Sequence, residues 1–142
     1  MVTVGIVRDT SGFETDFDGW STGGMDRSFD RRSGSTSISG TGPSSAAVGS
    51  DYVYAKAYGN YNKNFDLEKT FLAGQELYGI AFQYHMYGSR MGSAFLETSS
   101  DGSSWVSLWS QSGNLGDQWN QATLYAGSGQ TMLRYTCVPN YQ

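Results

Sequence analysis

Apolar and polar residues alternate with a period of two along most of this chain, and no segment carries the three-to-four spacing of an amphipathic helix. That period puts successive side chains on opposite faces of a strand, so it predicts β-structure with one buried and one wet face. Val2, Val4 and Ile6 alternate with Thr3, Gly5 and Val7 in a first candidate strand. Over residues 52–58 the tyrosines and Lys56 alternate with Val53, Ala55 and Ala57. Phe65, Leu67 and Phe71 then oppose Asp66, Glu68 and Thr70. The longest candidate covers residues 77–87. There Tyr78, Ile80, Phe82, Tyr84 and Met86 share a face expected to turn into the core, and Gly79, Ala81, Gln83 and His85 share the other.

The second half continues in the same way. Asp101-Gly102 is a turn signal between strands over 94–98 and 105–110, which together read as a hairpin. A loop over 112–117 follows, and residues 119–126 and 132–138 supply two more strands. The Gly/Ser-rich stretch 33–50 is expected to be a surface loop within one domain. Several short strands at near-regular spacing predict an all-β, jelly-roll-like two-sheet sandwich over residues 1–142.

Composition narrows the function classes. A chain of 142 residues is long enough for one core without staples. With net charge −4 and no basic cluster beyond Arg31-Arg32, it carries no nucleic-acid footprint. No apolar run approaches the ~18 residues of a membrane span, so no membrane insertion is expected. Residues 1–7 lack the basic start and cleavage site of a signal peptide, so no secretory route is visible if Met1 is the natural start. Cys137 is the only cysteine, which excludes an internal disulfide and leaves it as a small buried hydrophobe.

An ordered series of short blocks gives a family resemblance. These are Phe13-Glu14 to Trp20, Ser28-Phe29-Asp30, Ser33-Gly34-Ser35-Thr36 through Gly40-Thr41-Gly42-Pro43-Ser44-Ser45, and above all Tyr84-His85-Met86-Tyr87-Gly88-Ser89 and Leu108-Trp109-Ser110-Gln111-Ser112-Gly113-Asn114 with Trp119. Across residues 13–135 the chain resembles a MAM domain, the adhesion module named for meprin, neuropilin-type receptors and receptor tyrosine phosphatase mu. The resemblance implies a jelly-roll sandwich that mediates adhesion or assembly and does no chemistry. Two departures stand out: the chain has no disulfide, and the sequence stops before the final strand usual in the family. Either the natural protein is longer, or the sandwich lacks a terminal strand and exposes an edge, and exposed edges pair with other chains.

Candidate chemistry is sparse. Glu14, Asp16 and Asp18 fall at period two, so on a strand their carboxylates would share one face and suit Ca²⁺. The family resemblance adds Asp26 and Asp30, giving five candidate ligands for a structural cation against the alternative of a solvated acidic edge. The same trio loosely resembles the paired carboxylates of jelly-roll glycosidases, although the short arm of Asp18 widens the gap that retaining chemistry needs. His85, the lone histidine, is expected to hydrogen-bond beside Gln83 on the less apolar face. At least two of Trp105, Trp109 and Trp119 are expected inside. Tyr52, Tyr54, Tyr58 and Tyr61 are the candidates for an exposed contact patch.

These readings point to a non-enzymatic adhesion or assembly module working with protein partners in an oligomer. The absence of a visible signal peptide and of disulfides directs the expectation to a structural surface component such as a virion decoration or fibre protein, with an extracellular setting as the alternative. The rival function is a carbohydrate-binding module for surface glycans, with calcium as a conceivable cofactor. Val2 to Val7 is apolar and β-branched, so it is expected to pair as a strand. Either it completes its own sandwich or, as the favoured expectation, it adds to a neighbour's sheet.

Overall fold

The computed structural model describes residues 9–71 and 77–140. The first candidate strand, over residues 2–7, lies outside the described residues. Ten strands run in chain order: β1 (Ser21–Thr22), β2 (Arg27–Ser28), β3 (Asp30–Ser33), β4 (Asp51–Tyr54), β5 (Phe65–Thr70), β6 (Gly79–His85), β7 (Ser93–Ser99), β8 (Trp105–Ser112), β9 (Trp119–Tyr125) and β10 (Met132–Val138). The described residues form no helix, and the two-sheet, all-β sandwich expected from the alternation is the architecture found.

One layer is a single hydrogen-bonded sheet in the order β1-β5-β10-β7-β8, with the short β2 added to β5 in parallel. β10 sits at its centre, with Tyr135 opposite Leu67 on one side and Leu96 on the other. Residues at those matched positions point the same way, so Leu67, Leu96 and Leu133 enter the core together while Glu97 and Arg134 form an ion pair on the outside. Phe29, Phe65 and Leu67 make the tightest cluster, with Phe17, Trp20, Val53, Ala55, Tyr135 and Cys137 packed on it.

The opposite layer consists of two antiparallel pairs, β3-β4 and β6-β9. β6 has the expected register. Ile80, Phe82 and Tyr84 face inward and Met86 is buried, whereas Gly79, Ala81 and Gln83 are exposed. Phe82 and Tyr84 pack edge-on against Trp109 with ring centroids 5.0 and 4.8 Å away, tying this layer to β8 and β10. Tyr78 departs from the expectation. It precedes the strand, beyond the end of the core, and is 77% exposed.

The tryptophans divide for a physical reason that parity counting missed. β8 carries a bulge that sets Trp109 opposite Leu96 but Ser107 opposite Glu97, so Leu108 is an extra residue in the ladder. The bulge therefore puts Trp109 and Trp105 on opposite faces. Trp109 stacks on Tyr135 inside at 6.1 Å, and Trp105 lies outside beneath the Arg134 guanidinium at 4.1 Å.

A cleft of about 1760 Å³ separates the two layers among the described residues. Phe82, Tyr84, Tyr135 and Cys137 line it and stay half-buried, whereas Leu67, Leu96 and Leu133, carried by the continuous sheet, are buried.

Candidate functional site

The acidic candidates do not share a strand face. Residues 14–16 form a bend and Asp18-Gly19 a turn with positive φ at both residues, so the period-two argument for Glu14, Asp16 and Asp18 fails at its premise. Each carboxylate with a partner is committed to the backbone of a loop. Glu14 accepts from the N–H groups of Ser50 and Asp51 at 3.0 and 3.1 Å, and Asp16 from the N–H of Asp18 at 2.8 Å. Asp18 accepts from Phe13 N–H at 2.8 Å, and this bond, ahead of all other influences, holds its pKa below the ordinary carboxylate value. Asp26 accepts from the N–H and side-chain amide of Asn64, which lower its pKa in the same way. Asp30 is exposed at the start of β3.

Among the described residues no three His, Cys, Asp or Glu side chains converge to hold a metal ion. The five candidate ligands therefore do not fit a calcium shell. Calcium prefers six to eight oxygens around one point, and these oxygens fasten separate loops. Asn-Gly or Asp-Gly turns and short acidic runs look the same in sequence whether their carboxylates bind a cation or cap a turn.

The tyrosine patch is also redistributed. Tyr52 is 5% exposed, its hydroxyl donates to Gly34 O at 2.7 Å, and its ring meets Trp119 at 6.0 Å and Tyr54 at 6.3 Å. Burial raises its pKa. Tyr54 and Tyr61 are half-buried, the latter under the Arg90 guanidinium, and Tyr58 stands 68% exposed. Tyr52 is thus covered where it was expected to be exposed, its hydroxyl bonded to the start of the loop over residues 34–50, whereas Tyr58 is exposed.

A second exposed aromatic site was not anticipated. Tyr78 and Tyr125 face each other edge-on with ring centroids 5.6 Å apart and exposures of 77% and 65%. Tyr125 sits opposite Gly79 in the β6-β9 ladder, and its ring lies within van der Waals reach of that glycine. Alternation assigned Tyr78 to the core because it shares the even face of Phe82. The signal that could have corrected this is Gly79, which marks the strand end.

The nucleophile and base candidates are enclosed. His85 Nε2 lies 3.0 Å from Asp117 Oδ1, its side chain is 3% exposed, and its ring packs on Trp119 at 5.3 Å. The side chain lies on the Gln83 face, as the sequence suggested, and its Nδ1 is buried without a partner among the described residues. Cys137 borders the cleft, half-buried, and burial pushes its thiol up to about 12, which favours the protonated form at neutral pH. Burial likewise raises Tyr135 well above the usual phenol value. No helix among the described residues is long and apolar enough to cross a membrane.

Comparison with known proteins agrees with this architecture. The crystal structure of the K2 cleaved adhesin domain of Lys-gingipain superposes with a TM-score of 0.65 at 15% sequence identity, covering 91% of this chain and 84% of that one. At such identity the likeness is one of fold. The family model described as MAM domain, meprin/A5/mu, matches residues 11–136, which takes in the Phe29-Phe65-Leu67 cluster, the His85-Met86 segment and the bulged β8 hairpin. With that match across most of its length, the chain belongs to the MAM domain family.

Proposed function

We propose that this domain is a non-enzymatic adhesion or assembly module that acts on an exposed surface. Its membership of an adhesion-domain family across residues 11–136 carries the reading. The fold shared with a bacterial adhesin domain supports it, as does the enclosure of the one histidine and the protonated state of the one thiol. The contact surface proposed is aromatic and centred on the exposed Tyr78-Tyr125 pair, with Tyr58 a separate exposed ring; such rings offer area at low entropic cost with a polar tip for hydrogen bonding. The partner proposed is a protein in a larger assembly, such as a virion surface or fibre.

A second reading, binding of surface glycans, has the same exposed rings in its favour, since a flat aromatic face stacks on the apolar face of a sugar. The two readings separate on a glycan array probed with and without calcium, alongside sedimentation of the purified domain. Glycan binding lost in Tyr78→Ala or Tyr125→Ala would establish the sugar reading and displace assembly. Concentration-dependent association, lost in the same variants with no glycan signal, is the outcome the assembly reading expects.

A further inference from the structure

The outward face of the β6-β9 pair is a row of matched, exposed residues. Gly79 lies opposite Tyr125, Ala81 opposite Thr123 and Gln83 opposite Gln121, and all six are exposed, whereas the alternate residues Ile80, Phe82 and Tyr84 are half-buried on the inner side. The row begins at the edge-on Tyr78-Tyr125 pair and ends at His85 and Trp119, whose rings pack at 5.3 Å. Core packing accounts for the inner residues. The wet face of a strand needs only to be polar, and charged side chains would serve it equally. Neither strand contains an Asp, Glu, Lys or Arg.

The residues along this row suit one kind of ligand. Directly opposite residues of an antiparallel pair hold their Cβ atoms about 4.5–5.5 Å apart, so the Gln83 and Gln121 amides stand side by side. Each amide offers an oxygen acceptor and an NH₂ donor group. A hydroxyl both donates and accepts, so neighbouring amides can meet adjacent hydroxyls of one molecule in both senses. The Tyr78 and Tyr125 rings, 77% and 65% exposed, add apolar area with a phenol tip. A sugar ring presents both counterparts, a C–H face and a rim of hydroxyls.

Charge and size narrow the class. At the far end of the row Asp117, 58% exposed, bonds His85 at 3.0 Å, and the chain carries a net charge of −4. That field disfavours carboxylated or sulfated chains. Two strands of seven residues make a strip about 24 Å long and about 10 Å wide, roughly 240 Å². A stable protein interface takes about 800 Å² from each partner, so a protein would draw most of its contact from elsewhere. A strip of this shape matches a single extended polymer lying along the strands.

Building on the second reading, the binding of glycans, we propose that the outward face of β6 and β9 is a binding strip for a neutral, linear polysaccharide. Gln83 and Gln121 bond the hydroxyls of a central sugar, and the Tyr78-Tyr125 pair stacks on a sugar at the end of the strip.

Calorimetric and amide chemical-shift titrations of the whole chain with neutral, β-linked hexamers of glucose, mannose and xylose test this, with a galacturonic acid hexamer as the acidic counterpart. At least one neutral hexamer is expected to bind and to shift the amides of Ala81, Gln83, Gln121 and Thr123, with the acidic hexamer at least about tenfold weaker. Gln121→Ala and Tyr125→Ala should each weaken binding by about five- to tenfold. Melting temperature should change little in either variant, because both side chains are exposed. Binding that both substitutions leave unchanged places the sugar elsewhere and overturns the strip while the glycan reading stands. Failure of every hexamer to bind overturns both. Self-association at high concentration that Gln121→Ala abolishes would assign the face to a second copy of the chain and likewise overturn the proposal.

Discussion

The two layers of this sandwich use the same alternating code and reach different degrees of closure. In the six-stranded layer, β5, β10 and β7 pair on both sides, and their inward residues Phe65, Leu67, Leu96 and Leu133 are buried. In the other layer, β4 and β6 each pair on one side among the described residues, and Phe82 and Tyr84 remain half-buried against the cleft while Tyr52 of β4 is buried. Side-chain pattern alone therefore does not decide burial: the same alternation gives buried residues where a neighbouring strand or loop covers the face and half-buried ones where the face borders the cleft.

The largest effects test that difference by truncation. Phe65→Ala should cost about 3–5 kcal/mol, measured by urea unfolding, since the ring is 2% exposed in the tightest cluster. Phe82→Ala should cost less, about 1–2 kcal/mol, because that ring is half-buried and borders the cleft. Equal costs for the two truncations would remove the distinction between the layers.

A smaller effect is expected at Gly92, where β7 begins. Its φ is +62°, and an added Cβ would collide with the carbonyl oxygen of Val138. Gly92→Ala should therefore destabilise by about 1–3 kcal/mol, through backbone strain and displacement of the end of β10. Thermal melts report it.

On the outer face, Arg134 bonds Glu97 at 3.2 Å and stacks on Trp105. Arg134→Ala should lower stability by about 1 kcal/mol or less, since the pair is partly solvated. Quenching of Trp105 fluorescence would change with it.

The weakest effect is the response to acid. Backbone N–H groups lower the pKa of Asp18 (from Phe13), Asp26 (from Asn64) and Asp101 (from Ser104, then Ser103). A carboxylate with a lower pKa folded than unfolded stabilises the fold above the unfolded value. That contribution is lost as pH falls through the folded value. Melting temperature should therefore hold steady at neutral pH and decline below about pH 4. Asp26→Asn should shallow that decline.

The sequence made the strands with clean alternation legible. The candidate over 132–138 coincides with β10, and the even face of β6 is inward as read. β3 escaped notice because Asp30-Arg31-Arg32-Ser33 has no apolar member to alternate; it is held by pairing with β4 and by Arg31, which bonds Phe13 O, Glu14 O and Asp51. The candidate strand over 52–58 shortened to β4 because the chain turns at Tyr58-Gly59, with Asn60 N–H donating to Ala57 O. The site was less legible than the fold. Tyr52 and Tyr58 look equivalent in sequence, and a loop 34–50 that no local pattern positions buries one and leaves the other exposed. The carboxylates of residues 14–30 were read as a cation site because spacing cannot tell a ligand from a turn cap.

Amide hydrogen exchange, compared strand by strand in the full-length protein, bears most directly on this account of the six-stranded layer. β10 is hydrogen-bonded to β5 on one side and β7 on the other, so its amides should be protected at every position, exchanging about 100-fold or more below random-coil rates. Fast exchange at alternate β10 positions would contradict a layer with β10 at its centre.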